Sequence, residues 1–332
     1  MRSVQFDGDS RISIVEKPDP LAGPGEVVIA TRASAICGSE LSAYRGAGMA
    51  GNGGHEAAGV VVALGEGVRS LQLGQRVGVS AISGCGECEY CQRGQYTWCN
   101  QRSFYGNMHA EQFVVAARAC HVLPDDVEWG VGVLITGDGL GVPYHTSTKL
   151  PEHGIETVAV FGLGPIGLGG TLLHAYRGRR VIGIDLAPQR LALAKTIGAS
   201  DTIDAGETDD VVAAVRALTA GKGADVCIEA AGRPETAKQC FGAVRTGGIV
   251  VFNGEQPSVT LSPSEDFIRR DVTAFGAWFY HFSEFPAMLA LARSGLPVGW
   301  LITHRYPLEE ADTAYREMSA GHTGKVVLEY AV

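Results

Sequence analysis

The sequence is short of positive charge, and its basic residues are not clustered. It contains 27 Lys and Arg against 36 Asp and Glu, which gives a formal net charge of −9. A surface that binds nucleic acid neutralises phosphates with grouped Lys and Arg side chains, whereas here they occur singly or in pairs. The composition therefore argues against a nucleic-acid partner.

The chain also lacks a long hydrophobic segment. Residues 1–10 contain no apolar run after a basic start, which a secretion signal would require. The most apolar later stretch, residues 158–173, is broken by Gly162, Gly164, Pro165 and Gly167, whereas a membrane-spanning helix needs about 20 mostly apolar residues in succession. Neither secretion nor membrane insertion is expected.

A disulfide framework is not expected either. Five of the eight cysteines lie in spacings suited to metal binding, and a chain of 332 residues with 45% apolar residues can bury a sizeable core without covalent cross-links. We therefore expect a globular, enzyme-sized protein of two domains in the cytoplasm.

Two kinds of sequence follow one another along the chain. Residues 4–79 alternate short β-branched runs with glycine-rich breaks, which is typical of an irregular antiparallel β region. From about residue 146, strands alternate with helices, the pattern of a parallel sheet. Six strands are expected there, the number in a full dinucleotide-binding sheet: residues 157–161, 180–185, 201–204, 224–230, 248–253 and 273–279.

The end of the chain is expected to return to the first domain. Two helical segments, residues 284–294 and 308–320, precede a final strand at 325–330, which needs a sheet edge to join. The β-rich N-terminal region offers such an edge. The predicted fold class is therefore α/β, with a doubly wound parallel sheet of the Rossmann type inserted into a split, mainly β, barrel-like domain. The boundaries that we predict are 1–145 with 281–332 for the split domain, and 146–280 for the insertion.

A glycine motif follows the first strand of the predicted insertion. Gly162, Gly164 and Gly167, with Pro165 and Ile166 between the last two, stand directly after an apolar strand and open a helix. In this context glycines let backbone amides approach a pyrophosphate at the helix N-terminus. Glycine-rich turns also begin helices for packing reasons alone, but here the strand and the helix are both in place. The motif predicts that these five residues bind a dinucleotide.

The next predicted strand ends in an acid, Asp185. A carboxylate at this point accepts hydrogen bonds from the adenosine ribose and repels a 2′-phosphate, which favours NAD over NADP. Arg190 follows shortly and is a cation that could tolerate that phosphate. We predict NAD as the cofactor, with Asp185 and Arg190 as further contact residues.

Four cysteines are grouped in one short loop, residues 84–100. Cys85, Cys88, Cys91 and Cys99 have the spacing C-x2-C-x2-C-x7-C. Four thiolates from one segment can close a tetrahedron around zinc, which leaves no open position for a substrate. The spacing predicts a structural zinc. An iron-sulfur cluster also uses four thiolates, although nothing else in the sequence indicates electron transfer.

A further group of chemically active residues lies in the first region. Cys37 and Ser39 belong to the segment ICGSE, residues 36–40, and His55 and Glu56 to GHEAAG, residues 54–59. Together with the motifs above, they make the chain resemble the zinc-containing medium-chain alcohol dehydrogenases over nearly its whole length, in particular the polyol and threonine dehydrogenase branch.

The resemblance implies a GroES-like first domain with a catalytic zinc. Residues matching Cys37 and His55 bind this zinc in the family, and the one matching Glu56 lies beside it. Asp138, within TGDGLG at residues 136–141, matches a further ligand that binds directly or through water. By this resemblance Cys37, His55, Glu56 and Asp138 are the candidate ligands of the catalytic zinc. Taken alone, Cys37 could be an inert buried thiol, His55 a core histidine and Asp138 a turn residue between glycines. The remaining histidines, among them His109, lack ligand spacing and are not expected to bind metal.

The resemblance also implies the chemistry. Zinc acts as a Lewis acid on an alcohol, hydride passes to NAD, and Ser39 takes the alcohol proton. Many relatives have a histidine where this chain has Ser42, and most have aspartate where it has Glu40. Our hypothesis is that the proton leaves through water or through Ser42, without an imidazole.

The predicted function is reversible oxidation of an alcohol to a carbonyl, with two zinc ions per chain and NAD. By resemblance, the substrate is a secondary alcohol of a polyol, sugar, cyclitol or amino alcohol, and the protein is a homodimer or homotetramer. One alternative is a zinc-free reductase of the same superfamily that acts on an activated double bond or a quinone. The other is a dinucleotide-binding protein without catalytic activity.

Overall fold

The chain is divided into two compact units in the computed structural model, which describes residues 1–331. One unit comprises Met1–Gly141 and Phe279–Val332, and the other comprises Val142–Trp278. The sequence placed the insertion at 146–280. The boundary between Gly141 and Val142 lies within a single helix, Asp138–Thr148. The change from the β-rich sequence to the alternation of strands and helices therefore falls inside a helix and not in a loop.

The N-terminal part of the first unit consists mainly of antiparallel strands. Its longest strand, Glu26–Ile36, buries most of its side chains because it lies between neighbouring strands on both sides. The strands are β1 (Arg2–Gly8), β2 (Arg11–Glu16), β3 (Glu26–Ile36), β4 (Ala57–Leu64), β5 (Arg76–Val79), β6 (Ile82–Ser83), β7 (Ser103–Phe104), β8 (Gln112–Ala116) and β9 (Cys120–Val122). The helices up to the junction are α1 (Leu41–Arg45), α2 (Glu89–Gln92), α3 (Trp129–Thr136) and α4 (Asp138–Thr148).

The second unit is a parallel six-stranded sheet with four helices. Its strands are β10 (Thr157–Phe161), β11 (Arg180–Asp185), β12 (Asp201–Asp204), β13 (Ala224–Glu229), β14 (Val244–Phe252) and β15 (Thr273–Gly276). Its helices are α5 (Pro165–Tyr176), α6 (Pro188–Thr196), α7 (Val211–Leu218) and α8 (Pro234–Ala243). The spatial order of the strands is β12-β11-β10-β13-β14-β15. The chain therefore adds strands outward from β10 first on one side and then, from β13 onward, on the other, as in a doubly wound dinucleotide-binding sheet.

The C-terminal part of the first unit completes its sheet. It contains α9 (Phe285–Arg293), β16 (Ile302–Pro307), α10 (Ala311–Ser319) and β17 (Lys325–Glu329). The last strand, β17, pairs antiparallel with β3, with Val326 opposite Ile36, and the sheet order is β16-β17-β3-β4-β5-β9, with β8 also on β3. The predicted α/β fold class, with a parallel sheet and a split β domain, is confirmed.

Short turns of 3-10 or π type connect several of these elements. They lie at Gly38–Glu40, Tyr96–Trp98, Ala117–Ala119, Pro263–Phe267, Ile268–Arg270, Phe282–Glu284, Val298–Leu301 and Leu308–Glu310. Within residues 1–331, none of the helices is both long and apolar enough to cross a bilayer.

The largest shortening of a predicted strand is at β15. β15 ends at Gly276, whereas the sequence suggested that it continues to residue 279. Phe279 has a φ of 52°, which lies in the left-handed region and is incompatible with an extended strand. The β-forming residues at its end therefore belong to an irregular connection.

Candidate functional site

The ends of β3 and β4 bring the predicted catalytic residues together. Cys37 directly follows β3, while His55 and Glu56 directly precede β4, and these two strands pair with Ser34 opposite Ala57. Asp138 is the first residue of α4. Although these four residues are far apart in the sequence, one ligand atom from each lies within 4.8 Å of the others.

The distances in this cluster suit a tetrahedral zinc. Asp138 Oδ2 lies 3.8 Å from Cys37 Sγ and 3.3 Å from His55 Nε2. Ligand bonds of about 2.0–2.3 Å at tetrahedral angles separate donor atoms by roughly 3.3–3.6 Å. The second carboxylate oxygen of Asp138, Oδ1, is buried and has no hydrogen-bond partner in the described residues. A sulfur, an imidazole nitrogen and an otherwise unsatisfied carboxylate therefore fit a zinc ion.

The histidine is held in the orientation that a metal requires. His55 Nδ1 lies 2.9 Å from the carbonyl oxygen of Gly53. A carbonyl only accepts hydrogen bonds, so Nδ1 carries the proton and donates it, and the lone pair of Nε2 faces the other ligand atoms. Such a bond to the second ring nitrogen fixes the tautomer of a metal-binding histidine.

Glu56 is fully buried and forms an ion pair with Lys325, the first residue of β17. Its Oε1 accepts a hydrogen bond from Lys325 Nζ, and its Oε2 accepts one from the backbone N–H of Asp138, at 3.1 Å. Burial disfavours the charge on Lys325, but the facing carboxylate of Glu56 raises its pKa above the usual value. Glu56 thus adjoins the cluster with both oxygens already accepting protein hydrogen bonds.

The serines predicted to move a proton are exposed at the start of α1. Ser39 lies in the turn Gly38–Glu40, and Ser42 is the second residue of α1. The hydroxyl of Ser42 donates to the backbone carbonyl of Ser39, at 3.3 Å. The two hydroxyl-bearing residues are therefore neighbours on an accessible surface of the first unit.

The four-cysteine loop forms a second candidate metal site. One sulfur from each of Cys85, Cys88, Cys91 and Cys99 lies within 4.8 Å of the others. The Cys85 and Cys91 sulfurs are 3.8 Å apart, and those of Cys88 and Cys91 are 3.4 Å apart, close to the roughly 3.8 Å of a tetrahedral zinc-thiolate centre. A side chain at Gly84 would place its Cβ 2.1 Å from Cys91 Sγ, so only glycine fits beside this sulfur.

Four sulfur atoms at this separation require a cation if they are all to be thiolates. Hydrogen bonds from the backbone amides of Glu87 and Cys88 lower the pKa of Cys85 to about 6. Burial, together with the neighbouring sulfurs, raises the pKa of Cys91 to about 12. A bound divalent metal would supply the charge that lets both sulfurs ionise.

The glycine motif has the close contacts that its spacing predicts. Gly162 has a φ of 90°, and a Cβ there would lie 2.7 Å from the backbone nitrogen of Ala231. A Cβ on Gly167 would lie 1.8 Å from the carbonyl oxygen of Gly162. At Gly164, by contrast, no atom of the described residues outside its immediate chain neighbours lies within 4 Å of the Cβ position. The first and third glycines permit tight backbone packing, and the second leaves open space at the start of α5.

Pro165 and Ile166 form the first turn of α5, whose cap residue Gly164 provides no side-chain hydrogen bond. Such a helix N-terminus favours an anion. Asp185, at the end of β11, accepts a hydrogen bond from the backbone N–H of Leu163 at 2.6 Å. Arg190 lies in α6, which starts just after Asp185. The predicted cofactor residues are thus adjacent in the second unit.

Three residues beside the candidate sites were not identified from the sequence. Lys325 pairs with Glu56, and the fully buried His109 contacts Glu40. The Phe279 ring lies edge-on to His55, with ring centroids 6.3 Å apart. None of these residues lies in a spaced motif. The left-handed φ of Phe279 cannot be read from a phenylalanine, because glycine is the residue that normally marks such a position.

Comparison with known proteins identifies the family of the chain. Residues 23–125 match the alcohol dehydrogenase GroES-like domain family, and residues 165–294 match the zinc-binding dehydrogenase family. An L-threonine 3-dehydrogenase of Pyrococcus horikoshii is 34% identical, over 95% of this chain and 94% of its own. A sorbitol dehydrogenase of Halalkalibacterium halodurans is 31% identical, over 97% of this chain and 96% of its own.

A solved structure shows the same architecture. An alcohol dehydrogenase from Thermus sp. ATN1 superposes with a TM-score of 0.90 at 29% sequence identity, covering 100% of both chains. The family resemblance and the GroES-like domain predicted from the sequence are confirmed. The chain belongs to the zinc-type medium-chain alcohol dehydrogenase family.

Proposed function

We propose that the protein reversibly oxidises an alcohol to a carbonyl, using a catalytic zinc and transferring hydride to NAD. The observation that carries this proposal is the convergence on Asp138 Oδ2 of Cys37 Sγ and His55 Nε2, at 3.8 and 3.3 Å. The other oxygen of this carboxylate, Oδ1, has no hydrogen-bond partner among residues 1–331. Three protein ligands would leave a fourth position free for a substrate oxygen, as catalytic zinc sites require.

Each residue of the cluster has a separate role in this proposal. Cys37, His55 and Asp138 would hold the metal, and Glu56 orients Asp138 by accepting its backbone hydrogen bond while Lys325 compensates the charge of Glu56. When bound there, zinc supplies a Lewis acid that lowers the pKa of an alcohol and polarises a carbonyl. Ser39 accepts the alcohol proton and passes it to water or to Ser42.

The second zinc is proposed to be structural. Cys85, Cys88, Cys91 and Cys99 would occupy all four tetrahedral positions, so no substrate could reach the metal. All eight cysteines are free of disulfide bonds in the structure. This state suits a reducing compartment such as the cytoplasm, where thiolates remain available to metals.

The acid at the end of β11 is proposed to select NAD. We expect Asp185→Asn, which removes the charge and keeps an amide oxygen as acceptor, to raise the NADP to NAD ratio of kcat/KM at least about tenfold, equivalent to about 1.4 kcal/mol. The matched control is Asp201→Asn, at the opposite end of the neighbouring strand and paired with Arg180, which should leave the ratio unchanged. An unchanged ratio in Asp185→Asn would refute the role of this carboxylate.

Ser42, at the position where many relatives have a histidine, gives a second test. We expect Ser42→His to increase kcat for alcohol oxidation near neutral pH, because a histidine titrates near pH 6.5 and can take the proton from Ser39. The non-titrating control Ser42→Asn should keep the original pH profile. If Ser42→His shows that same profile as well, the exit of the proton does not limit turnover.

The substrate class is proposed from the relatives. The names of the sorbitol and L-threonine 3-dehydrogenases point to alcohols that carry further hydroxyl or amino groups. We therefore propose a secondary alcohol of a polyol, sugar, cyclitol or amino alcohol, acted on by a homodimer or homotetramer.

The test of the function is an activity screen of zinc-loaded protein with NAD and NADP against polyols, cyclitols, amino alcohols and simple alcohols, with zinc per chain measured in the same sample. About two zinc ions and alcohol-dependent NADH formation are expected. One zinc with reduction of quinones or activated double bonds would favour a zinc-free reductase. Two zinc ions and bound NAD without turnover of any alcohol would favour a non-catalytic protein.

A further inference from the structure

His109, which the reaction proposed above does not use, is fully buried at the centre of a hydrogen-bond network in the first unit. Its Nε2 lies 3.0 Å from Glu40 Oε2, and its Nδ1 lies 2.8 Å from Ser34 Oγ. The Ser34 hydroxyl in turn lies 2.8 Å from the hydroxyl of Tyr330. Both ring nitrogens are thus engaged, although the residue has no spacing that would mark it in the sequence.

Glu40, whose carboxylate His109 contacts, is hydrogen-bonded to the main chain of Cys37, a proposed zinc ligand. Glu40 Oε1 accepts a hydrogen bond from the backbone N–H of Cys37, at 2.8 Å. Glu40 Oε2 accepts one from the hydroxyl of Tyr315 as well as one from His109. Glu40 is buried, so these donors fix its position, and through it the start of the turn that carries Cys37.

The direction of the hydrogen bonds is determined by the carboxylate. A carboxylate only accepts, so His109 Nε2 carries a proton and donates it to Glu40. In the neutral ring, Nδ1 then accepts from Ser34, and Ser34 accepts from Tyr330. Every hydroxyl proton in this chain of bonds has an acceptor, as buried polar groups require.

The main chain of His109 contacts the other ligand-bearing segment. Its N–H donates to Asn52 Oδ1 at 3.1 Å, and the same oxygen accepts from the N–H of Gly54, also at 3.1 Å. Asn52 Nδ2 donates back to the carbonyl of His109, at 3.3 Å. Gly54 directly precedes His55, and a Cβ on Gly54 would lie 2.6 Å from the ring of His109. The loop that presents His55 is therefore packed against His109.

From these contacts we infer that His109 is a positioning residue for the catalytic metal: through Glu40 it fixes the main chain of Cys37, and through Asn52 and Gly54 it fixes the loop that presents His55. The inference rests on the proposed function, because it concerns the zinc of that site. Cys37 and His55 come from separate segments, so their spacing depends on contacts that link those segments. His109 provides such a link, since it is hydrogen-bonded to Glu40 near Cys37 and to Asn52 near His55. Partners of this kind, one step removed from the ligands, typically change metal affinity or activity about 10–100-fold when they are removed.

The test measures metal release instead of turnover. Zinc-loaded wild type, His109→Leu, His109→Gln and Glu40→Gln are mixed with a chromophoric chelator, and the release of each zinc is followed. The zinc of the four-cysteine loop serves as the reference within the same molecule. The matched control is His174→Leu, which replaces another fully buried histidine, one that contacts Arg179 in the second unit. Thermal unfolding of each variant reports any general loss of stability.

We expect His109→Leu and Glu40→Gln to release the catalytic-site zinc at least about tenfold faster, with the release from the four-cysteine loop unchanged. His109→Gln, whose amide can still donate to Glu40, should recover part of the difference. His174→Leu should lower the unfolding temperature and leave both release rates as in wild type. The inference is overturned if His109→Leu destabilises the protein like His174→Leu but releases zinc at the wild-type rate.

If the His109 variants do not fold, Tyr315→Phe tests whether this hydrogen-bond network positions the metal ligands. It removes only the hydroxyl that donates to Glu40 and keeps the ring, and Tyr44→Phe is its control in the same aromatic cluster, 5.4 Å away between ring centroids. After exchange of the catalytic zinc for Co²⁺, Tyr315→Phe should shift the visible absorption of the metal, and Tyr44→Phe should not. Equal spectra would overturn the inference. A wild type that carries zinc only in the four-cysteine loop would refute the proposed function itself, and the inference with it.

Discussion

Cys37→Ser is expected to lose one of two zinc ions per chain and to lower kcat for alcohol oxidation by at least about a thousandfold, equivalent to about 4 kcal/mol. A serine hydroxyl does not replace a thiolate as a zinc ligand at neutral pH, so the metal would keep only His55 and Asp138. The measurements are zinc content by atomic emission and kcat with the best alcohol from the screen.

Cys120→Ser is the control for this substitution. Cys120 is also buried in the first unit, but it lies outside both cysteine-containing clusters, and burial raises the pKa of its thiol to about 12. The same change of sulfur to oxygen should therefore leave two zinc ions and nearly full activity. If Cys37→Ser also keeps two zinc ions and turns over normally, Cys37 is not a ligand and the proposed site is wrong.

Lys325→Met is expected to destabilise the zinc-loaded protein by about 3–5 kcal/mol, because it leaves the carboxylate of Glu56 buried without a counter-charge. The two side chains are 1% and 0% exposed, so water cannot take the place of the ammonium group. The expected change is a lower urea midpoint of unfolding with an unchanged slope. Adding Glu56→Gln to Lys325→Met should restore part of the stability, since the buried charge is then removed.

An exposed ion pair provides the comparison. Arg316→Met removes the partner of Asp312 one turn away on α10, where both side chains are exposed, and should cost less than about 1 kcal/mol. If Lys325→Met lowers the free energy of unfolding no more than Arg316→Met does, Lys325 and Glu56 do not form a buried charge pair. Recovery in the double variant, without recovery of activity, would separate the effect on folding from the effect on the metal site.

The features that the sequence predicted well are those encoded in short segments. The glycines from Gly162 to Gly167 and the four cysteines from Cys85 to Cys99 each lie within one loop, so their spacing alone indicates their geometry. The strand order of the inserted sheet follows from the rules for doubly wound folds. A strand at the end of the chain was expected to join the N-terminal β region because it needs an edge to pair with, and β17 does so by pairing with β3.

The features that were not predicted depend on contacts between distant segments. Lys325 meets Glu56, and His109 meets Glu40, only after β17 and the segment before β8 have joined the sheet around β3. Neither pair has a fixed spacing, and a lysine or histidine in a β-rich sequence gives no sign that it will be fully buried. Phe279 likewise adopts a left-handed backbone that its side chain does not favour, so it lies outside β15, although its composition favoured a strand.

The proposed function requires that Cys37, His55 and Asp138 hold one zinc while the four cysteines of residues 84–100 hold another. An anomalous difference map from crystals of the zinc-loaded protein, collected on both sides of the zinc absorption edge, tests it most directly. We predict two peaks per chain, one within bonding distance of Cys37 Sγ, His55 Nε2 and Asp138, and one enclosed by Cys85, Cys88, Cys91 and Cys99. A single peak at the four cysteines, with the cluster at Cys37 free of metal, would contradict the account.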